Sequence, residues 1–206
     1  MTSNLNPELG NPQTSVIITG GASGIGLASA RALTAVGRAV AIWDIDPEAL
    51  NRAAALVRDE SGAACHTEYV DMRKIESFND ALDRSRAALP PLGGLVHCAG
   101  IVDTGSLEGI TPESWQAGID IHLRALAFLT QAMAGDLAKT PGSAIVAITS
   151  MALLQRLTRH VGLPFGRIAQ AAAAKCWLSN SMVSQRAEGP MPKALSIRRT
   201  SPLIPG

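Results

Sequence analysis

The run Val16-Ile17-Ile18-Thr19-Gly20-Gly21-Ala22-Ser23-Gly24-Ile25-Gly26 restricts the fold of this chain more than any other stretch. Its β-branched opening favours a buried strand, and the glycines turn that strand directly into a helix starting near Gly24. Each glycine has a physical job. Gly20 permits the tight turn, Gly24 lets backbone approach a pyrophosphate, and Gly26 allows close helix-to-strand packing. The helix start, with Ser23 and Ile25 in the same loop, offers unpaired N–H groups to an anion. A P-loop fails on chemistry, because no Gly-Lys-Ser/Thr follows to supply the phosphate lysine and the magnesium hydroxyl.

The run Ala39-Val40-Ala41-Ile42-Trp43 reads as a second strand, and it ends on Asp44. A carboxylate about twenty residues or fewer beyond the glycine turn is placed to accept hydrogen bonds from a ribose and to repel a 2′-phosphate, so the pattern points to NAD in preference to NADP. Capping of the next helix is the competing role for Asp44. Asp46, directly before Pro47-Glu48, is better placed for that.

Short apolar runs alternate with longer helix-like segments from Ser15 onward, the mark of βαβ units and a mostly parallel sheet. Strands are expected near 15–19, 39–43, 64–70, 94–98 and 143–149, with helices near 24–36, 47–60, 74–88 and 112–137. The fold class is therefore α/β, a Rossmann-like doubly wound parallel sheet that is incomplete at its C-terminal end. The expected organisation is a flexible segment over 1–13, an NAD-binding domain over 14–151 and an atypical segment over 152–206. Beyond Thr149 the alternation fades, and Pro190, Pro192, Pro202 and Pro205 interrupt the end.

A net charge of +1 gives no electrostatic reason to expect nucleic acid or an anionic membrane as partner. The balance conceals a break: residues 1–151 hold 10 Lys and Arg against 16 Asp and Glu, whereas residues 152–206 hold 8 against 1. The basic tail has only Phe165 and Trp177 as aromatics and lacks the Arg/aromatic alternation of a nucleic-acid binder. Cys65, Cys98 and Cys176 are odd in number and scattered, which fits neither a disulfide framework nor a metal site and makes a reducing cytoplasm the expected location. No apolar stretch is long enough to span a membrane.

The spacing Thr19-Gly20-x-x-x-Gly24-Ile25-Gly26 resembles the fingerprint of the short-chain dehydrogenase/reductase family. Further resemblances follow in chain order over about residues 14–151. Asp71, with Met72 beside it, resembles the family's adenine-contacting aspartate, and Ala99-Gly100 resembles the end of its Asn-Asn-Ala-Gly turn. Residues 145–150 resemble its fifth strand, with Ser150 as the catalytic serine. His97 and Cys98 stand where the family usually has two asparagines, and His122 stands where it often has the asparagine that anchors an active-site water. The resemblance implies hydride exchange between nicotinamide and a substrate carbon, with a small-molecule alcohol or carbonyl as partner. It implies that serine holds the substrate oxygen and that a Tyr-x-x-x-Lys pair moves the proton. It also implies pairing through the fourth and fifth helices, which makes a homo-oligomer one expected state.

The tyrosine of that pair is missing, for Tyr69 is the only tyrosine in the chain. Lys175 is the only lysine in the relevant region, and Ala171 stands four residues before it, while distance from Ser150 points instead to 163–167. The expected activity, secondary alcohol to ketone with NAD(H), is accordingly impaired. Two alternatives stay open: a non-catalytic dinucleotide-binding or interaction protein, and a truncated or frameshifted product. Reading the coding DNA across 145–180 in three frames tests the last.

Overall fold

The computed structural model describes residues 13–101, 109 and 111–148. Ser150, Lys175, segment 152–206 and residues 1–12 of the expected N-terminal segment lie outside these. In chain order the elements are β1 (Ser15–Thr19), α1 (Gly24–Ala35), β2 (Val40–Asp44), α2 (Pro47–Ser61), β3 (Cys65–Tyr69), a 3₁₀ turn (Ile75–Ser77), α3 (Phe78–Ala88) and β4 (Leu92–His97). There follow α4 (Pro112–Ile119), a π-turn (Asp120–Arg124), α5 (Ala125–Lys139) and β5 (Ala144–Ala147). All five strands are parallel and lie in the order β3-β2-β1-β4-β5. The α/β reading holds, with one refinement: the expected single helix over 112–137 is divided by the π-turn.

Strand alternation divides the core between the two faces of the sheet. Val16 and Ile18 of β1, with Val40 and Ile42 of β2, pack with Ala30 of α1 and with Leu50, Ala53 and Val57 of α2. Ile17, Ala41 and Trp43 point the other way, onto Phe78 and Leu82 of α3 and Leu126, Leu129 and Met133 of α5. Every residue of β1 is buried, as a central strand covered on both faces requires. Ile17, Ile18, Ile42 and Trp43 have no exposed surface, and each such side chain contributes about 1.5–3 kcal/mol of burial.

Helix starts follow local chemistry. Asp46 accepts from the N–H groups of Glu48 and Ala49 at 2.9 and 3.0 Å, and Pro47 takes the first helical position of α2. Thr111 and Ser114 form a reciprocal capping box ahead of α4. The start of α1 is different, and it opens on the site.

Candidate functional site

The chain runs outward from β1 to β3 and then returns to place β4 on the other side of β1. Such a reversal leaves a crevice outside the carboxyl ends of the strands, because the connections on its two sides depart in opposite directions. A cleft of about 510 Å³ lies there. The glycine turn after β1 lines it, as do Asp44 after β2, Asp71 and Met72 after β3, and Ala99 and Gly100 after β4. All ten residues assigned to a cofactor from the sequence are thus brought to one cleft, although they come from four strand ends.

The glycine turn is shaped by close approach on one side and open space on the other. A Cβ on Gly26 would collide with the Gly20 carbonyl oxygen, so only glycine lets α1 seat on the turn. At Gly24 φ is +48°, and a Cβ there would meet nothing within 4 Å. Ser23 takes the N-cap position in extended conformation but makes no side-chain cap bond, and the first turn of α1 carries no acidic residue. Its amide groups and the positive end of its dipole therefore face the cleft without a local partner for the charge.

Asp44 ties this turn to β2. Its Oδ2 accepts from the Ala22 N–H at 3.0 Å, and its Oδ1 accepts from Ile45 and Asp46 N–H at 2.8 and 3.2 Å. A carboxylate offers about four lone-pair positions, so capacity for another donor remains. Asp71 is held by Arg73, whose Nε and Nη2 donate at 2.9 and 2.7 Å while the Arg73 backbone N–H donates at 3.0 Å. The guanidinium hydrogen bonds keep the Asp71 carboxyl below the usual carboxylate range, against the opposing effect of burial. Among the described residues, Arg73 is the only Lys or Arg lining the cleft, alongside the carboxylates of Asp44 and Asp71.

His97 is buried between β1 and the π-turn. Its Nδ1 lies 2.8 Å from Thr19 Oγ1, and its Nε2 lies 3.1 Å from the Ile121 carbonyl oxygen. A carbonyl can only accept, so Nε2 carries the proton and Nδ1 accepts from the threonine hydroxyl. Thr19 Oγ1 in turn accepts from the Ala99 N–H at 3.3 Å. Burial pushes the His97 imidazole down from its ordinary value, and nearby His122 adds to this, against the Ile121 hydrogen bond. His122 does not line the cleft; its Nε2 lies 2.9 Å from the Ile101 carbonyl. Burial raises the Cys98 thiol, which disfavours the thiolate a nucleophile needs.

Sequence reasoning missed Arg73, Ile45 and Ile101 as lining residues, although each lies one or two positions from a residue that was singled out. It also missed Ala117, Ile121 and Ile148, which reach the cleft from elements distant in sequence and carry no local signal. Tyr69 sits on β3, at the opposite edge of the sheet from β5, four strand spacings or about 19 Å away. It is therefore remote from the strand that leads to Ser150.

The short chain dehydrogenase family model matches residues 14–161. The chain belongs to the short-chain dehydrogenase/reductase family. Among curated relatives it is 36% identical over 139 residues to the "Probable galactose dehydrogenase GalD" of Rhizobium meliloti, covering 68% of this chain and 54% of the relative. The chain spans about half the length of the curated relatives it matches. A Mycobacterium paratuberculosis short chain dehydrogenase bound to NAD superposes with a TM-score of 0.64 at 26% identity, covering 68% of this chain and 56% of that one. An NADPH-bound short chain oxidoreductase of Pseudomonas aeruginosa, described as containing an atypical catalytic center, gives 0.66 at 25% identity, covering 70% and 57%. Structural neighbours in this family thus hold either nicotinamide cofactor. No helix among the described residues is long and apolar enough to cross a membrane.

Proposed function

We propose that this short-chain dehydrogenase/reductase binds NAD(H) in preference to NADP(H), and that its ancestral reaction interconverts a secondary alcohol and a ketone. One observation supports the reading: the uncapped start of α1 and the Asp44 carboxylate open on the same cleft, whose lining among the described residues holds two carboxylates and one cation already engaged by Asp71. Gly20, Ser23, Gly24, Ile25 and Gly26 would receive the pyrophosphate, Asp44 the adenosine ribose, and Asp71 with Met72 the adenine. Ala99 and Gly100 would form the wall beside the nicotinamide, which when bound supplies or accepts the hydride. A 2′-phosphate would meet Asp44 with no free guanidinium among the described lining residues to neutralise it.

Ser150 would orient the substrate oxygen and Lys175 would add positive charge. Neither replaces a phenolic acid/base, whose loss typically costs about 10²–10⁴-fold in rate. The chain as written is therefore a slow enzyme on small alcohols and carbonyls, and a non-catalytic dinucleotide-binding protein is the alternative. The scattered cysteines support a cytoplasmic setting.

Calorimetric titration with NADH and NADPH tests the cofactor reading, and equal or tighter NADPH binding would overturn the Asp44 assignment. NADH consumption over a carbonyl panel, repeated with Ala171→Tyr and Leu163→Tyr, tests the catalytic one. Rescue by one variant locates the lost tyrosine. Robust activity in the unmodified chain that vanishes in Ser150→Ala would mean that another group moves the proton.

A further inference from the structure

Two histidines that stand where the family favours asparagines bond across to each other's segments. His97, at the end of β4, donates from Nε2 to the carbonyl of Ile121, on the π-turn. His122, on that turn, donates from Nε2 to the carbonyl of Ile101, just beyond the β4 turn. The Ile101 N–H lies 3.4 Å from the same nitrogen, too far to compete with the 2.9 Å carbonyl contact. The π-turn makes the first bond available. The Ala125 N–H donates to the Asp120 carbonyl, five residues back, so Ile121 does not receive the amide that an α-helix would send to it from that position.

Packing reinforces the pairing. A Cβ on Gly100 would stand 2.5 Å from His122 Cε1 and 3.0 Å from its Nδ1, so the ring lies directly against the Gly100 backbone. From the other side Thr19 bridges the His97 Nδ1 and the Ala99 N–H. Residues 98–101 are thereby held by one histidine of their own strand and one of the facing helix.

We propose that His97 and His122 form a reciprocal clasp that positions the Cys98–Ile101 wall of the cleft for the nicotinamide half of the cofactor. This rests on the cofactor reading above. Both clasp bonds are donated from Nε2, and the neutral ring of His97 keeps Nδ1 as the acceptor for the Thr19 hydroxyl. His97 faces Thr19 of β1 and the Ile121 carbonyl of the π-turn. β1 and β5 present Thr19 and Ala147 in register with it, and Asp120 of the π-turn is engaged by Gln116 and Arg124.

The test uses the full chain and its His97 variants with NADH and with ADP, which lacks the nicotinamide half, at pH 7.5. His97→Leu should lower NADH affinity about tenfold, the scale of one lost buried hydrogen bond, while ADP affinity stays within about twofold. His97→Asn, the family's own residue and again a donor, should recover most of that affinity. Parallel loss of NADH and ADP in His97→Leu, or NADH binding by that variant as tight as by the unmodified chain, would overturn the clasp. Imidazole ¹⁵N spectra of the unliganded chain supply a second arm, with His97 and His122 both expected as Nε2–H tautomers at pH 7.5. An Nδ1–H tautomer at either refutes the clasp even if neither nucleotide binds, an outcome that would separately remove the cofactor reading.

Discussion

At the residue scale, neighbouring positions of one motif carry separable duties. Gly26→Ala forces a methyl onto the Gly20 carbonyl and should cost about 1–3 kcal/mol of stability as overpacking, read as a lower denaturation midpoint with or without cofactor. Gly24→Val meets open space instead, so it should fold with only the positive-φ penalty of about 1–2 kcal/mol and lose NADH binding in calorimetry. If both variants failed in the same way, the division between packing and anion contact would be wrong. Asp44 and Asp46 form a similar contrast. Asp44→Ala should narrow the NADH/NADPH preference, while Asp46→Ala should leave it intact and lower stability by about 0.5–2 kcal/mol, the usual worth of an N-cap.

At the element scale, the helix that faces the cleft is interrupted where it serves the site. An unbroken helix over 112–139 would engage the Ile121 carbonyl internally, so His97 Nε2–H would have to share that oxygen with a helical amide. The expectation of one continuous helix came from a pattern that cannot register a single five-residue turn, because apolar spacing shifts by only one residue there. The capping box at Thr111 and Ser114 secures the start of α4 some eight residues upstream of the turn. Thr111→Ala should accordingly fray that start and cost about 1 kcal/mol in chemical denaturation, without altering NADH affinity.

At the scale of the whole molecule, cofactor and proton should both register in global stability. NADH at about 100 times its Kd adds about 2.7 kcal/mol to the folded state, a Tm rise of roughly 5–10 °C for a chain of this size. NADPH at the same concentration should give a smaller rise. Acid should act in two stages. The folded His97 is held below its ordinary value, so its contribution is present above about pH 6.5 and is lost as pH falls through its folded value. Asp71 is also lowered, so its contribution is present above about pH 3.9 and is lost further into acid. Melts from pH 8 to pH 3 should show His97→Asn removing the upper stage and Arg73→Ala shrinking the lower one.

The sequence by itself determined the α/β class, the glycine turn and the carboxylate ending β2, because each is set by local chemistry: β-branched strands, glycine conformations and a strand-end acid at fixed spacing. Asp46 as the α2 cap was legible for the same reason. The absence of any tyrosine but Tyr69 was equally plain, but its distance from β5 required the strand order. Only the tertiary structure decided that Arg73 engages Asp71, that Ala117, Ile121 and Ile148 complete the cleft, and that His97 and His122 reach across to one another's backbones. These contacts join residues up to several tens of positions apart, and their partners follow from strand register and a one-residue change in helical winding, neither of which leaves a periodic mark on the sequence.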